Sequence, residues 1–293
     1  MMRLLVTGTS GQVARALADR AGQFPEITII AVGRPQFDLD DIATIFPAIS
    51  EARPDFIVNA AAYTAVDRAE QEPQRAFAIN RDGAAAVGAA ARVLGVPLIH
   101  LSTNYVFSGG KASAYVEDDE TEPLGVYGKS KLAGELAVRA ANAEAVILRT
   151  SWVYSPFGSN FVKTMMRLAS ERPVLRVVDD QVGNPTSALD LAEAILRIAP
   201  RAKEGAGATF HVAGSGSVSW CGLAKHVFEA SRLVGGPATE VVPISTSEYP
   251  TPARRPANSR LDTSTFNASF GYFLPDWRSG VEETVRQIIG GVS

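Results

Sequence analysis

The 293 residues predict an α/β protein, a doubly wound parallel sheet joined to a smaller mixed α/β lobe. Two patterns carry this expectation. Short continuous apolar runs alternate with longer helical stretches through the first half. Beyond about residue 150 that rhythm gives way to shorter elements punctuated by prolines at 156, 173, 185, 243, 250, 252, 256 and 275. The runs are Leu4-Leu5-Val6, Ile27 to Val32, Phe56-Ile57-Val58, Leu98 to Leu101 and Val146-Ile147-Leu148. A strand apolar at every position is covered on both faces, the mark of a parallel sheet between two helical layers. Helices are expected near residues 11 to 21, 41 to 51, 73 to 94 and 128 to 142, the third alanine-rich. Residues 1 to 155 are expected to form the sheet domain, with later segments able to return to it, and 156 to 293 mainly the second lobe.

Composition narrows the partners. Apolar residues at 46% suffice for a large core. With 28 basic against 31 acidic residues the net charge is -3, without the basic excess that binding to nucleic acid or a membrane surface requires. A small-molecule partner is therefore expected. One cysteine, Cys221, and three histidines, His100, His211 and His226, cannot build a Cys/His metal cluster, and Cys221 is expected as a small buried apolar residue. No run reaches the ~18 residues of a membrane span. Leu4-Leu5-Val6 is too short for a secretory signal, so the cytoplasm is the expected compartment.

The first apolar run leads directly into Thr7-Gly8-Thr9-Ser10-Gly11-Gln12-Val13-Ala14 and then a helix. Gly8 permits the tight turn, Gly11 lets backbone approach a pyrophosphate, and Ala14 lets the helix pack close on the strand. This is the phosphate turn of a dinucleotide-binding, Rossmann-type domain, with Gly8, Gly11, Gln12 and Val13 at the cofactor. Arg34 ends the second run, where it meets the 2'-phosphate of NADP or stands as a solvated loop arginine. Asp38-Leu39-Asp40-Asp41 follows, offering a helix cap and an adenine-side contact, with Asp38 and Leu39 expected at the cofactor. NADPH is the expected cofactor, with NADH as the alternative.

Tyr127 and Lys131 stand four apart at the start of a helical pattern, on one face and one turn apart. An ammonium beside a phenol favours the phenolate and is expected to lower the tyrosine from ~10 toward neutrality. Ser102-Thr103 ends the fourth run, where a hydroxyl can meet a carbonyl in the same cleft. Phosphate turn, Ser-Thr and Tyr/Lys pair occur in this order along the chain, an arrangement much harder to reach by accident than any one of them.

These segments resemble the extended short-chain dehydrogenase/reductase superfamily and, within it, the dTDP-4-dehydrorhamnose reductase family. The resemblance runs through residues 8–13, 58–67, 102–107, 126–135, 149–154, 180–186 and 255–259. It implies reduction of the C4 ketone of dTDP-4-dehydro-L-rhamnose to dTDP-L-rhamnose, a precursor of cell-surface polysaccharide. It further implies that Tyr127 protonates the developing alkoxide, that Lys131 holds the nicotinamide ribose and tunes Tyr127, and that Thr103 orients the ketone oxygen. Ala62, Tyr63 and Thr64 would line the cofactor; Asn104 and Trp152 would meet the sugar nucleotide, the bland alternative for Trp152 being a large core residue. Two positions depart from the family pattern: Asn104 stands where an aspartate is usual, and Ala16 where some relatives place a glutamate in a magnesium-bridged dimer. No metal is therefore expected, and a homodimer is left open. Another sugar-nucleotide reductase or epimerase, or a non-catalytic nucleotide-binding regulatory subunit, are the alternatives; Thr103, Tyr127 and Lys131 argue against the last.

Overall fold

The structure, a computed structural model, describes residues 1–291. Its central sheet is built around β1 (Met2–Thr7). β2 (Ile27–Val32) pairs on one side of β1 and β3 (Phe56–Asn59) on the other, followed outward by β4 (Leu98–Thr103), β5 (Val146–Thr150) and a sixth strand, Thr209–His211, all parallel. Because the chain steps to opposite sides of β1, the loops after β1 and β3 diverge and open a crevice at the strand ends.

The continuous apolar runs have the meaning expected of them. Neighbouring residues of β1 point to opposite faces, Leu4 and Val6 into one core and Leu5 into the other. Helices α1 (Gln12–Arg20), α2 (Ile45–Ala52), α3 (Val66–Ala69), α4 (Pro73–Phe77), α5 (Ala84–Leu94) and α6 (Val126–Ala141) follow in order. Ile45 and Ile49 of α2, Val87 of α5 and Val138 of α6 close over Leu5 and Ile57, while Leu17 of α1 and Leu191 and Ile195 of the helix Ala188–Ile198 close over Leu4 and Val58. The helix expected over 73 to 94 is α4 and α5 joined by a π-helical turn, Ala78–Gly83. The wider turn carries Asn80 to a fully buried position, where it accepts from the Tyr63 N–H (2.8 Å) and donates to the Tyr63 carbonyl (3.0 Å) and the Ser130 hydroxyl (2.9 Å).

A second core lies among the helices Phe161–Ala169, Trp220–Leu233 and Trp277–Ile289 and the parallel pair Val174–Val178 and Glu240–Ile244. Cys221 is buried within it, the small apolar residue it was expected to be. The sixth strand and the helix Ala188–Ile198 both lie beyond residue 155, yet both complete the central sheet and its cover. Among the described residues no helix is long and apolar enough to cross a membrane.

α6 lies very close to the π-helical turn. A Cβ on Gly134 would fall inside the carbonyl oxygen of Asn80, which is backbone and cannot swing away. Gly134→Ala is therefore expected to cost about 1–3 kcal/mol, the usual penalty of overpacking, seen as a lower urea midpoint at an unchanged slope. An unchanged midpoint would show that α6 can step back without loss.

Candidate active site

A cavity of about 790 Å³ opens where β1, β3, β4 and β5 end. Its floor is tied together by buried hydrogen bonds across three strands. The Thr7 hydroxyl donates to Asn59 Oδ1 at 2.8 Å and accepts from the backbone N–H groups of Ala60 and Ala61, both at 3.0 Å. The Asn59 amide in turn meets His100 Nδ1 at 3.0 Å. Burial, with the Lys131 ammonium nearby, holds His100 well below its ordinary value, so the ring is neutral and the network carries no charge.

The phosphate turn has the form expected of it. Gly8 has φ +92°, a left-handed conformation that strains any side chain, and its N–H donates to Val32 O at 2.7 Å. Gly11 caps α1, and a Cβ placed there would meet open space, so nothing stands between the first turn of the helix and the cavity. That cradle fits a pyrophosphate: free backbone N–H groups at a helix N-terminus with no acidic side chain in the first turn. Val13 lines it as well. Gln12 also borders the cavity, but its amide is a strut: Oε1 accepts from Ser155 Oγ (2.9 Å) and Asn160 Nδ2 (3.0 Å), joining α1 to the lobe.

Arg34, Asp38 and Leu39 line the far end. The Arg34 side chain is 72% exposed and lies 3.9 Å from Asp38, weakly held and available to an anion. The cap of the following 3₁₀ turn is Asp41, whose carboxylate accepts from the Ala43 N–H. Ala62 and Thr64 border the cavity, with Tyr63 between them held by other contacts. Asn80 grips the Tyr63 backbone, and the ring turns away so that its hydroxyl donates to Glu72 at 3.0 Å.

Thr103, Tyr127 and Lys131 come together on the cavity wall, each buried in protein. α6 is positioned by a contact that the sequence did not disclose. Glu135 and Arg149 form a buried bidentate pair (Nη2–Oε2 2.8 Å, Nε–Oε1 3.0 Å), and Ser102 Oγ donates to the same carboxylate, so α6, β4 and β5 meet at one charge pair. Gly128, beside Tyr127, lies so close to Tyr105 that a Cβ would overlap the Tyr105 carbonyl oxygen.

The titration of the pair differs from expectation. Lys131 Nζ donates to the Leu101 carbonyl at 2.7 Å, and burial pushes its value down to about 8, against the pull of Glu135. Burial pushes the Tyr127 hydroxyl up to about 12; the group countering this is the Thr103 hydroxyl, not Lys131. The expected lowering by the lysine is thus absent in the free cleft, because the ammonium is aimed at the strand end rather than at the phenol. Thr103 Oγ1 is also 3.4 Å from Asn104 Oδ1. Asn104 Nδ2 and the Thr150 hydroxyl, both buried at the cavity wall, meet no partner among the described residues. Trp152 borders the same cavity, its indole stacked on Trp220.

Comparison with known proteins places this cleft. Residues 2–289 match the model of the RmlD substrate binding domain family. The chain is 51% identical to a dTDP-4-dehydrorhamnose reductase of Sinorhizobium fredii over 98% of its own length and 97% of the relative's. It is 41% identical to the enzyme of the same name from Escherichia coli K12, with 98% of each chain covered. A crystal structure of dTDP-4-dehydrorhamnose reductase from Bacillus anthracis in complex with NADP superposes with a TM-score of 0.91 at 35% identity, over 98% of this chain and 99% of that one.

Burial of Lys131 makes stability depend on pH with a definite sign. Its folded value, about 8, lies below the ordinary 10.5, so between these the unfolded chain holds the extra proton and stability rises with pH. Tyr127 acts oppositely and later: its ordinary value is 10.0 and its folded one about 12, so stability falls only above about pH 10. Urea unfolding of Lys131→Met and the wild type at pH 7 and pH 9.5 should show the difference moving in the wild type's favour by about 2 kcal/mol. A difference independent of pH would mean that the ammonium is not desolvated.

Proposed function

The chain belongs to the RmlD substrate binding domain family, and on that footing we propose that it reduces the C4 ketone of dTDP-4-dehydro-L-rhamnose to dTDP-L-rhamnose with NADPH. The observation that carries the reading is the convergence of Thr103, Tyr127 and Lys131 on the cavity into which the glycine turn after β1 opens.

When bound, NADPH supplies the hydride. The chain's own residues do the rest. The turn Gly8 to Val13 and the N-terminus of α1 would receive the pyrophosphate, Arg34 would meet the 2'-phosphate, and Ala62 and Thr64, which border the cavity on the loop after β3, would line the cofactor. Lys131 Nζ uses one N–H on Leu101, leaving two donors for the hydroxyls of the nicotinamide ribose. Thr103 donates to the ketone oxygen and fixes the carbonyl against Tyr127. A phenol near 12 keeps its proton at neutral pH, and a sugar alkoxide is a stronger base still, so Tyr127 is matched to give that proton to the oxygen at C4. A lowered phenol is not needed for reduction; a proton held until the alkoxide develops is. Asn104 and Trp152 face the sugar nucleotide.

A regulatory subunit that only binds nucleotide has no need of a proton donor such as Tyr127 held beside Thr103 on the cavity wall. A water-soluble nucleotide sugar and NADPH as reactants support the cytoplasm as the compartment of this reading.

Oxidation of NADPH by the freshly made keto-sugar tests the reading directly. Tyr127→Phe should lower kcat by about 10²–10⁴ with little change in the KM for NADPH; unchanged turnover would remove Tyr127 from the mechanism. Arg34→Ala should reduce the preference for NADPH over NADH about tenfold, the effect of an exposed charge on a phosphate. An unaltered ratio would return Arg34 to the role of a solvated loop residue.

A further inference from the structure

Trp152 has a backbone unusual for its side chain. With φ +46° it is one of two non-glycine residues in the left-handed region among the described residues; the other, Arg53, terminates α2, where that conformation is common. Trp152 has no such excuse, standing between β5 and the short strand Val153–Tyr154. Its surroundings must hold it.

Two contacts do so. The Trp152 indole lies on Trp220 with ring centroids 3.5 Å apart and planes 8° from parallel, closer and more nearly face to face than aromatic pairs choose for themselves. Gly183 also abuts the indole: a Cβ there would stand 2.6 Å from Trp152 Cε2 and 2.9 Å from Nε1. Gly183 and Trp220 are held relative to one another, because Val182–Gly183 pairs antiparallel with Val218–Ser219, which leads directly into Trp220. Phe161 backs the Trp220 ring at 4.7 Å. Trp152 borders the cavity; Trp220 does not.

We propose that Trp220 is a positioning residue for the sugar nucleotide, acting through Trp152. It holds the Trp152 indole in one plane, so that the cavity presents a fixed apolar wall to the C–H face of a 6-deoxyhexose. This inference rests on the preceding reading that Trp152 meets the sugar nucleotide. A wall fixed before the ligand arrives spares binding the cost of ordering a large side chain, so its loss belongs in the KM for the sugar rather than in kcat.

The test compares Trp220→Leu, which keeps apolar volume but removes the flat ring, with Trp220→Phe, which keeps a ring, and with Trp152→Ala. Trp220→Leu should raise the KM for dTDP-4-dehydro-L-rhamnose about tenfold, with kcat within twofold and the KM for NADPH unchanged. Trp220→Phe should stay within about threefold of the wild type. A sugar KM unchanged in Trp220→Leu while Trp152→Ala raises it would overturn the proposal and leave the reductase reading intact. A Trp220→Phe variant as impaired as Trp220→Leu, or an equal loss for sugar and NADPH, would equally overturn it. If Trp152→Ala leaves the sugar KM unchanged in an active enzyme, the contact on which the proposal rests fails instead. A wild type inactive on the keto-sugar sinks the functional reading itself.

Discussion

The chemistry of the cleft depends on how closely α6 lies against the end of β4 and the π-helical turn. Tyr127 and Lys131 reach the cavity only because Gly128 and Gly134 bring helix backbone against the carbonyls of Tyr105 and Asn80, with no side chain between. The buried Glu135–Arg149 pair then fixes the helix against β5, and Ser102 extends the same carboxylate to β4. A buried ion pair contributes little net stability, since desolvation consumes most of the Coulombic gain. Its value here is register: removing either charge would strand the other in the core, so the helix has one acceptable position.

Much of this architecture is legible in the sequence, and the rest is hidden for identifiable reasons. The five apolar runs announce a sheet covered on both faces because parallel strands bury every residue. Thr209–His211 escapes notice because three residues with threonine and histidine at the ends make no apolar run, although the strand is as much part of the sheet as β5. The phosphate turn is visible because glycine requirements there are local. Gly128, Gly134 and Gly183 are no less constrained, but by partners that only the fold supplies. Asn80 shows nothing in its neighbourhood of its hold on the Tyr63 backbone.

The four-residue spacing of Tyr127 and Lys131 gives direction but not depth. Spacing shows that both side chains leave α6 on one face; it does not show that the ammonium ends on the Leu101 carbonyl or that both groups are desolvated. The free enzyme consequently holds a tyrosine that is a weaker acid than tyrosine in water, and a lysine that is a weaker base than lysine in water. Both shifts favour the neutral form, the common consequence of burial.

The placement of the sixth strand bears on how the chain is made as well as how it works. When residue 155 leaves the ribosome the strand β5 has its partner on one side only, and its other edge stays open until Thr209–His211 arrives. An apolar strand with a free edge is an invitation to pair with another chain. The intervening segment must therefore be synthesised, and the helix Ala188–Ile198 laid over the sheet, before the first half is safe from aggregation. The far edge of β5 is thus covered late in synthesis, by a strand of only three residues.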